Sequence, residues 1–413
     1  MLKQEFASIV PTPPRIAALV VAAGRGTRMG AAPGSAPKQY MPIGGRTILA
    51  KSLQSLAVAE RISPLLAVIH AEDRDIYEAA VADIQIGERL AAPVPGGATR
   101  QASVHAGLEA LAKYEPDFVL VHDGVRPFVS PDTVDAVIDA LLAGHDAVLA
   151  ATPVVDTLKR VDSSGRIVET VPRDRLWAAQ TPQGFRFGPL LEAHRRAAAE
   201  GVADFTDDAA VAEWNGREVF VVQGERENMK ITTTDDLQQA EARATRDAWS
   251  ALADIRMGQG YDVHAFAEGD HVTLGGIDIP HDRRLSGHSD ADVALHAITD
   301  AIFGALCDGD IGSHFPPSDP QWKGASSEIF LREAVSAVAA RGGAIAHLDL
   351  TIVCEAPKIG PHRDSMRARI AEICGIAVDR VAVKATTSER LGFTGRREGI
   401  AALAAATIRL PMA

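Results

Sequence analysis

Two separate groups of residues suited to phosphate chemistry lie in one chain of 413 residues. The first is a glycine-rich run near the start, Val20–Met29, followed by Pro37–Gln39. The second lies beyond the middle and comprises Tyr261–His264, His288–His296 and Lys384–Glu389. The first group is typical of nucleoside triphosphate binding, and the second of a metal ion beside a phosphorylated ligand. Since one ordinary core does not extend over a chain of this length, we expect two fused enzyme domains.

The composition predicts a soluble α/β protein, with 46% hydrophobic but only 5% aromatic residues. A formal net charge of −12 argues against general binding of nucleic acid or of membrane surfaces. The cysteines Cys307, Cys354 and Cys374 show no CxxC spacing, which favours a reducing cytoplasm without a disulfide framework. We find neither a signal peptide nor an apolar run near the roughly 20 residues that span a bilayer, and we expect residues 1–14 to form an extended tail.

The region from Arg15 to about Leu252 alternates apolar runs with amphipathic segments. Strands are predicted at 16–22, 65–69, 118–121, 147–151 and 219–222, and helices at 48–58, 98–112 and 133–143. This alternation predicts a doubly wound, mostly parallel, Rossmann-like sheet with its ligand loops at the carboxyl ends of the strands. Two β-branched runs around Asp162–Gly165 predict a hairpin that projects as an arm.

A polar segment without glycine or proline, residues 234–253, predicts a helix that joins the two domains. We therefore predict domains at 1–253 and 254–413. In the second domain, strands are predicted at 257–261, 271–274, 348–353, 381–385 and 401–410, and helices at 290–306, 326–340 and 361–373. Strands and helices mixed in this way predict an α+β sandwich.

A glycine-rich turn follows the first predicted strand directly, where backbone N–H groups can approach phosphate oxygens. The turn is not a Walker loop, and Gly24 and Gly26 lack the third glycine of a dinucleotide fingerprint. An ordinary glycine turn therefore stays an alternative. Arg28 and Lys38 on the same loop favour nucleotidyl transfer, because cations must surround an α-phosphate that gains charge as it becomes five-coordinate.

The first 230 residues contain several short motifs beside this loop. They are Gly96–Gly97 with Arg100 and Ser103–Val104, Val121–Asp123 with Arg126–Pro127, Asp156–Thr157, Arg173 with Leu176–Trp177, Gln180–Gln183, Thr206–Asp208 and Asn228–Lys230. In this order they resemble the 2-C-methyl-D-erythritol 4-phosphate cytidylyltransferases of the non-mevalonate isoprenoid pathway. The resemblance implies that CTP and methylerythritol phosphate are the substrates.

The resemblance also implies roles for individual residues. Arg28 and Lys38 would stabilise the pentacovalent transition state, while Arg173 and Lys230 would hold the attacking phosphate in line. The nucleotide pocket would be formed by Ala23, Gly24, Gly26, Gly97, Ser103 and Asp123. The second substrate's pocket would be completed by Arg126, Thr157, Thr181 and Thr206, some of them reaching over from another subunit through the arm.

Asp262 and His264 lie two residues apart on a predicted strand, so both side chains point the same way. With His296 on the following helix they make a plausible three-ligand set for zinc, leaving one position for phosphate or water. Asp292 and Asp300 share a helical face with His296, and either could orient its ring. A structural role is the alternative for any single histidine.

The motifs of residues 256–413 resemble 2-C-methyl-D-erythritol 2,4-cyclodiphosphate synthase. They are Asp262–His264, His288–Asp290 with Asp292, Leu295–Ala297, Thr299–Ala301, Gly309–Gly312, Phe315–Pro316, Glu355–Lys358, Lys384–Thr387 with Glu389, and Leu391–Arg396. The resemblance implies Asp262, His264 and His296 as Zn²⁺ ligands, and Glu389 as ligand of a second cation, Mg²⁺ or Mn²⁺. His288 and Thr387 would assist the transition state, and Ser289 would contact phosphate. The other implied substrate contacts are Asp310, Ile311, Gly312, Phe315, Asp319, Ala356, Pro357, Lys358, Ile359, Lys384, Thr386, Phe393 and Arg396.

Together the two resemblances imply a bifunctional enzyme that transfers CMP to methylerythritol phosphate and closes the cyclodiphosphate with release of CMP. Its partners would be these small substrates and further copies of itself, with trimer and dimer contacts that a hexamer satisfies. Two alternatives stay open at this point. One is a nucleotidyltransferase of other sugar specificity joined to a metal hydrolase, and the other is a non-catalytic trimeric zinc scaffold in the second half.

Overall fold

The computed structural model describes residues 13–25, 36–316 and 318–412. The chain divides into two compact units, residues 1–245 and 246–413. This division lies within a long helix, Thr234–Ala251, which matches the helix predicted to join the domains. The boundary at 253 and 254 stays a prediction.

The first unit is built from alternating strands and helices. Its described strands are β1 (Ile16–Ala22), β2 (Pro42–Ile43), β3 (Arg46–Thr47), β4 (Ile62–Ile69), β5 (Val94–Pro95), β6 (Phe118–Asp123), β7 (Ala147–Pro153), β8 (Leu158–Val161), β9 (Ile167–Val171), β10 (Trp177–Arg186) and β11 (Val219–Gln223). Its described helices are α1 (Ile48–Ala57), α2 (Arg74–Val81), α3 (Arg100–Leu111), α4 (Pro131–Leu142), α5 (Phe187–Ala199), α6 (Asp208–Trp214) and α7 (Thr234–Ala251), the last running past the division.

Seven strands form the main sheet in the order β11-β7-β10-β6-β1-β4-β5. Only β10 runs against its neighbours, so the predicted mostly parallel sheet is confirmed. Both faces are covered: Ala18 and Val20 pack in one buried cluster, whereas Ala17 and Leu19 pack in another. The predicted hairpin is also confirmed, because β8 and β9 pair antiparallel. The loops after β1, β4 and β6 consequently meet at one edge of the sheet.

The strand β10 was not predicted. Its sequence contains Pro182 and Gly184, which normally weaken a strand. The structure explains the glycine, because a Cβ atom at Gly184 would lie 2.5 Å from the side chain of Val137 on α4. The helix therefore packs directly on the backbone of this strand.

The second unit is a helical layer on a sheet, which confirms the predicted α+β sandwich. Its described strands are β12 (Asp254–Glu268), β13 (His271–Leu274), β14 (Ile277–Pro280), β15 (Arg283–Leu285), β16 (Ala344–Val353), β17 (Val381–Thr386) and β18 (Gly399–Leu410). Its described helices, after the end of α7, are α8 (Val293–Leu306), α9 (Ile311–His314), α10 (Ser327–Ala340), α11 (Arg363–Cys374) and α12 (Gly392–Gly395). Five strands form one sheet in the order β15-β12-β18-β16-β17.

Two glycines of β12 allow helix α8 to lie unusually close to the sheet. A Cβ atom at Gly258 would be 2.1 Å from the carbonyl oxygen of Ala301, and one at Gly260 would be 2.0 Å from that of Ala297. Real Cβ atoms do not approach so closely, so only glycine fits at either position. This contact brings the start of α8 beside the residues that follow Gly260 on the strand. Among the helices of the described ranges, none has both the length and the apolar character of a membrane span.

Candidate active sites

The first candidate site is a cavity of about 730 Å³ at the carboxyl ends of β1, β4 and β6. Its lining includes many of the residues predicted for nucleotide and substrate binding, namely Ala23, Gly24, Lys38, Gly97, Ser103, Asp123 and Lys230. Gly26 and Arg28 lie outside the described residues. The structure therefore brings together, in one cavity, residues that are as far apart in the sequence as Ala23 and Lys230.

Asp123 is the buried charged centre of this cavity. Its carboxylate lies 2.8 Å from the Lys230 ammonium, 3.3 Å from Arg100 and 3.7 Å from Arg126. Burial alone would raise the pKa of Asp123, but Arg100 and Lys230 outweigh it and hold that pKa far below its ordinary value. The carboxylate is therefore ionised, and it can bind a cation or the hydroxyl groups of a ribose.

Arg100 was quoted in the sequence motifs without a role. It bridges two carboxylates, with its guanidinium 2.8 Å from buried Asp208 and 3.3 Å from Asp123. Asp208 lies on α6, 108 positions further along the chain, so sequence spacing could not reveal the pair. The available signal was the order of the motifs that contain Arg100 and Asp208. Arg100, held by Asp208, thereby fixes the position of the Asp123 carboxylate.

A buried hydrogen-bond network supports the same carboxylate. The hydroxyl of Thr181 accepts the Asp123 N–H at 3.0 Å and lies 3.0 Å from Nδ1 of His122. His122 donates its Nε2 proton to the carbonyl of Arg126 at 3.0 Å, so a neutral ring accepts from Thr181 through Nδ1. Burial lowers the pKa of His122 to about 4 and keeps the ring neutral. Thr181 and Arg126, which were predicted as substrate contacts, are not among the residues that line the cavity. They contact Asp123 instead and hold it in position.

The described parts of the glycine-rich loop are tied to the sheet by Gln39. Its buried amide donates to the carbonyls of Ala22 at 2.8 Å and Gly24 at 3.1 Å. The ammonium of Lys38 lies 3.3 Å from the carbonyl oxygen of Ile231. A Cβ atom added at Gly24 would meet no described atom within 4 Å, so among the described residues this backbone is open to a ligand.

Arg25, which sequence reasoning did not select, also lines the cavity. Its guanidinium pairs with Glu72 at 2.6 Å and with Asp73 at 2.9 Å. Both acids follow the end of β4. Arg25 therefore anchors the loop after β1 to the loop after β4.

Three predicted substrate residues lie away from the described lining of the cavity. Thr157 and Arg173 flank the exposed hairpin of β8 and β9, where Arg173 donates to the carbonyl of Val155. Thr206 is exposed on the turn before α6. Within one chain, the described structure does not bring these residues to Asp123.

The second candidate site is a cluster of Asp262, His264 and His296, whose ligand atoms all lie within 4.8 Å of one another. Oδ2 of Asp262 is 3.0 Å from Nε2 of His264 and 3.0 Å from Nδ1 of His296, and these two nitrogens are 3.1 Å apart. The first two residues lie on β12, and His296 lies on α8. The cluster thus depends on the close packing of α8 against Gly258 and Gly260.

The donor set of this cluster fits a divalent metal ion. Nδ1 of His264 donates its proton to the carbonyl of Ser286 at 2.7 Å, so Nε2 of the neutral ring carries a lone pair. Burial would raise the pKa of Asp262, but His264 and His296 outweigh it and hold that pKa far below its ordinary value, so the carboxylate is ionised. Two imidazole nitrogens and a carboxylate oxygen this close together are the ligand types of a three-residue metal site.

The far side of the His296 ring contacts two serines instead of an aspartate. Nε2 lies 2.8 Å from the hydroxyl of Ser327 and 3.2 Å from that of Ser289. The expectation that Asp292 or Asp300 orients this ring is wrong. Asp292 caps α8 and accepts the N–H groups of Gly275 and Gly276, and Asp300 accepts the N–H of Ile311. Both carboxylates are therefore engaged elsewhere.

Glu389, predicted to bind a second cation, lies outside the three-ligand cluster found among the described residues. Its carboxylate accepts the hydroxyl of Thr387 at 2.8 Å, and both residues are exposed. Glu355 holds this loop by accepting the N–H groups of Ser388 at 3.3 Å and Arg390 at 3.1 Å. The loop is thus fixed with Glu389 directed away from the core.

The remaining predicted contacts have varied environments. Asp310 caps α9, Phe315 packs edge-on against Trp322, and Asp319 caps the turn that follows. Ile359 is buried in the core, so only its backbone could meet a ligand. Exposed positions are held by His288, Gly312, Lys358, Lys384, Thr386, Phe393 and Arg396, while Ser289, Ile311, Ala356 and Pro357 are half-buried.

Comparison with known proteins agrees with both sites. The sequence model of the 2-C-methyl-D-erythritol 4-phosphate cytidylyltransferase family matches residues 16–246, and that of the YgbB family matches residues 255–409. The Bifunctional enzyme IspD/IspF of Bradyrhizobium sp. (strain ORS 278) is 57% identical over 401 residues, covering 97% of this chain and 99% of the relative. The chain therefore belongs to the bifunctional IspD/IspF family.

A second relative and one solved structure are also similar to this chain. The Bifunctional enzyme IspD/IspF of Nitrobacter hamburgensis is 56% identical over 403 residues, with 97% of each chain covered. A solved structure of the bifunctional IspDF from Campylobacter jejuni matches at 28% identity and a TM-score of 0.45, covering 96% of this chain and 98% of that one.

The chain is thus a bifunctional enzyme with a cytidylyltransferase domain followed by a cyclodiphosphate synthase domain. Its reactions are the transfer of CMP from CTP to 2-C-methyl-D-erythritol 4-phosphate, and the closure of 2-C-methyl-D-erythritol 2,4-cyclodiphosphate. Family membership favours this prediction over both alternatives, a nucleotidyltransferase of other specificity with a hydrolase and a non-catalytic scaffold.

Proposed function

We propose that cytidylyl transfer takes place in the cavity around Asp123, with Lys38 and Arg28 at the α-phosphate. The observation that supports this placement is the convergence of Lys38, Lys230 and Asp123 on one hollow beside the open backbone of Gly24. A triphosphate laid along this backbone would place its charge next to Lys38. The two cations would then stabilise the charge that develops as the attacking phosphate adds.

Within the same proposal, Ser103 and Gly97 contact the cytidine, because both line the cavity on the side of α3. Ser103 is buried, and its hydroxyl accepts the N–H of Gly97 at 3.1 Å, which fixes the turn. Lys230 and Arg173 hold methylerythritol phosphate. Since Arg173 lies on the exposed arm, a second copy of the chain has to supply it, together with Thr157.

The second reaction is proposed at Asp262, His264 and His296, with Zn²⁺ as the metal. When bound, zinc would polarise the phosphate that is attacked. Ser289 lies beside His296 and would contact the same phosphate, while His288 and Thr387 would assist the transition state. Glu389 would hold Mg²⁺ or Mn²⁺ on the diphosphate, and the segment from Ala356 to Ile359 would receive the cytidine with Thr386.

We further propose that the enzyme is a homo-oligomer, for which a hexamer satisfies both kinds of contact. Two exposed apolar surfaces support this. One is the arm, with Val161 and Ile167 more than half exposed at 53% and 59%. The other is the outer face of β12, where Ile255 and Met257 are 63% and 68% exposed. Surfaces of this kind are typical of subunit interfaces. Light scattering that finds a fully active monomer would contradict the proposal.

All three cysteines are free thiols, which fits a cytoplasmic enzyme.

The test of the two assignments uses both reactions of one purified protein. His264→Ala and His296→Ala should each lose bound zinc and CMP release, because two remaining ligands seldom hold zinc in a catalytic geometry. Pyrophosphate release from CTP and methylerythritol phosphate should continue in both variants, since the first site uses other residues. If His296→Ala keeps stoichiometric zinc, the helix histidine is structural and the proposed ligand set is wrong.

A further inference from the structure

A pair of side chains, half-buried Asp290 and buried Ser327, lies on the side of the His296 ring away from Asp262. The carboxylate of Asp290 accepts both the N–H of Ser327, at 3.0 Å, and its hydroxyl proton. The same hydroxyl oxygen lies 2.8 Å from Nε2 of His296. Ser327 is fully buried at 0% exposure, so it cannot reach a substrate. Neither residue was assigned a role in the sequence analysis.

The protons in this chain of contacts can be placed by elimination. The hydroxyl of Ser327 donates its single proton to the carboxylate of Asp290. The oxygen of Ser327 then offers only lone pairs toward His296, and Nε2 must donate to it. The proton of the neutral ring is therefore on Nε2, and Nδ1 presents its lone pair to Asp262 and His264 at 3.0 and 3.1 Å.

We propose that Ser327, held by Asp290, is the positioning residue that fixes His296 as a metal ligand through Nδ1. This inference rests on the proposed metal centre and adds to it a second layer of residues that acts on one ligand. Partners of this kind set the tautomer and the orientation of a ligating imidazole. Ser327 begins α10, so the pair also ties that helix to the loop that carries Ser289.

Ser289 also approaches Nε2 of His296, but it is less suited to this task. Its hydroxyl is 3.2 Å from Nε2, compared with 2.8 Å for Ser327, and it already accepts the N–H of Ala291 at 3.1 Å. Asp290 holds the hydroxyl of Ser327 and does not hold that of Ser289 in the described contacts. A fixed acceptor is what a defined tautomer requires.

The experiment measures zinc affinity in the full-length protein by competition with a chromophoric chelator. Ser327→Ala should bind zinc about 10- to 100-fold more weakly, the usual cost of losing such a partner. Ser326→Ala is the matched control, because Ser326 caps the same helix through the N–H of Glu328 without contacting His296 in the described hydrogen bonds. It should stay within about twofold of the unchanged protein. The visible spectrum of bound Co²⁺ should change in Ser327→Ala alone, even at saturating metal.

Asp290→Asn provides a second variant if Ser327→Ala does not fold. Ser327 donates its N–H and its hydroxyl proton to different oxygens of Asp290, and the amide of asparagine replaces one of these acceptors with an NH₂ donor. The zinc affinity of Asp290→Asn should therefore fall between that of the unchanged protein and that of Ser327→Ala. Unchanged zinc affinity in Ser327→Ala or Asp290→Asn overturns the inference, as does an equal loss in Ser326→Ala or a loss confined to Ser289→Ala. If His264→Ala keeps its zinc, the proposed metal centre itself is wrong, which is a distinct result.

Discussion

Replacing Gly260 by alanine should separate the two elements that build the metal cluster. The added Cβ atom would lie 2.0 Å from the carbonyl oxygen of Ala297 and 2.8 Å from the N–H nitrogen of Ala301. Heavy atoms in ordinary contact are about 3.5 Å apart, so α8 must withdraw by about 1 Å or more. The φ angle of Gly260 is not in the left-handed region, so the strain comes from this contact alone.

The consequence for the metal site follows from its geometry. His296 is adjacent to Ala297 on α8, whereas Asp262 and His264 lie on the strand that carries Gly260. Metal–ligand distances tolerate changes of only about 0.2 Å, so a displacement of about 1 Å removes one ligand. We expect zinc affinity to fall by about 100-fold or more, together with a loss of about 1–3 kcal/mol of stability in the second domain from overpacking.

Zinc competition and calorimetric unfolding of Gly260→Ala would measure both effects, with pyrophosphate release as an internal control that should not change. Gly304→Ala is the matched control, since its Cβ atom would meet its nearest neighbour, the Gln259 carbonyl oxygen, at an ordinary 3.8 Å. A methyl group in that helix should stabilise it by about 0.5–1 kcal/mol. Wild-type zinc affinity in Gly260→Ala would refute the argument that close packing of α8 positions His296.

Three further predictions concern the first domain. Lys38→Ala and Arg28→Ala should each reduce pyrophosphate release by about 100-fold or more, which is the usual effect of losing one preorganised charged group. CMP release from the cyclase substrate should persist in both variants. Near-normal pyrophosphate release would contradict the assignment. Arg100→Gln leaves Asp208 buried without its arginine, and the first domain should lose about 3–5 kcal/mol in denaturant unfolding; a loss below about 1 kcal/mol would show that the pair is dispensable. His122 should make the first domain less stable in acid, because burial lowers its pKa to about 4 while the unfolded chain binds a proton near pH 6.5. Stability should therefore fall by about 2 kcal/mol from about pH 7 to about pH 5, and this fall should be smaller in His122→Gln.

Much of the fold could be predicted because periodicity is a local property. The run Ile16–Ala22 is apolar at every position, which is typical of a strand covered on both faces, and the structure places a helical layer on each side. The helix predicted at 290–306 is observed at Val293–Leu306 with Asp292 as its cap, and the hairpin at Asp162–Gly165 follows from turn chemistry within a few residues. The strand β10 was missed because Gly184 is explained only by the packing of α4, and Pro182 lies where the ladder with β7 is interrupted between Ala179 and Gln183; no local pattern contains either fact.

In the metal cluster, too, some features follow from local sequence and others from the tertiary fold. Asp262 and His264 share a face because a strand has a period of two, so the sequence alone determined that pair. That His296 completes the cluster was implied by family resemblance, but its distance of 3.0 Å from Asp262 depends on two glycines that admit α8 to the sheet. The alternating glycines at 258 and 260 were a readable signal of close backbone approach.

Only the tertiary structure decided which residues support these ligands. Asp292 and Asp300 have the right helical spacing to orient His296, yet buried Asp292 accepts several backbone N–H groups and half-buried Asp300 accepts that of Ile311. The residue that contacts Nε2 of His296 is Ser327, which lies 31 residues away in the sequence. Likewise, Arg100 pairs with Asp208, which lies 108 residues away. Hydrogen bonds act over about 3 Å in space, and the sequence separation of the partners carries no information about that distance.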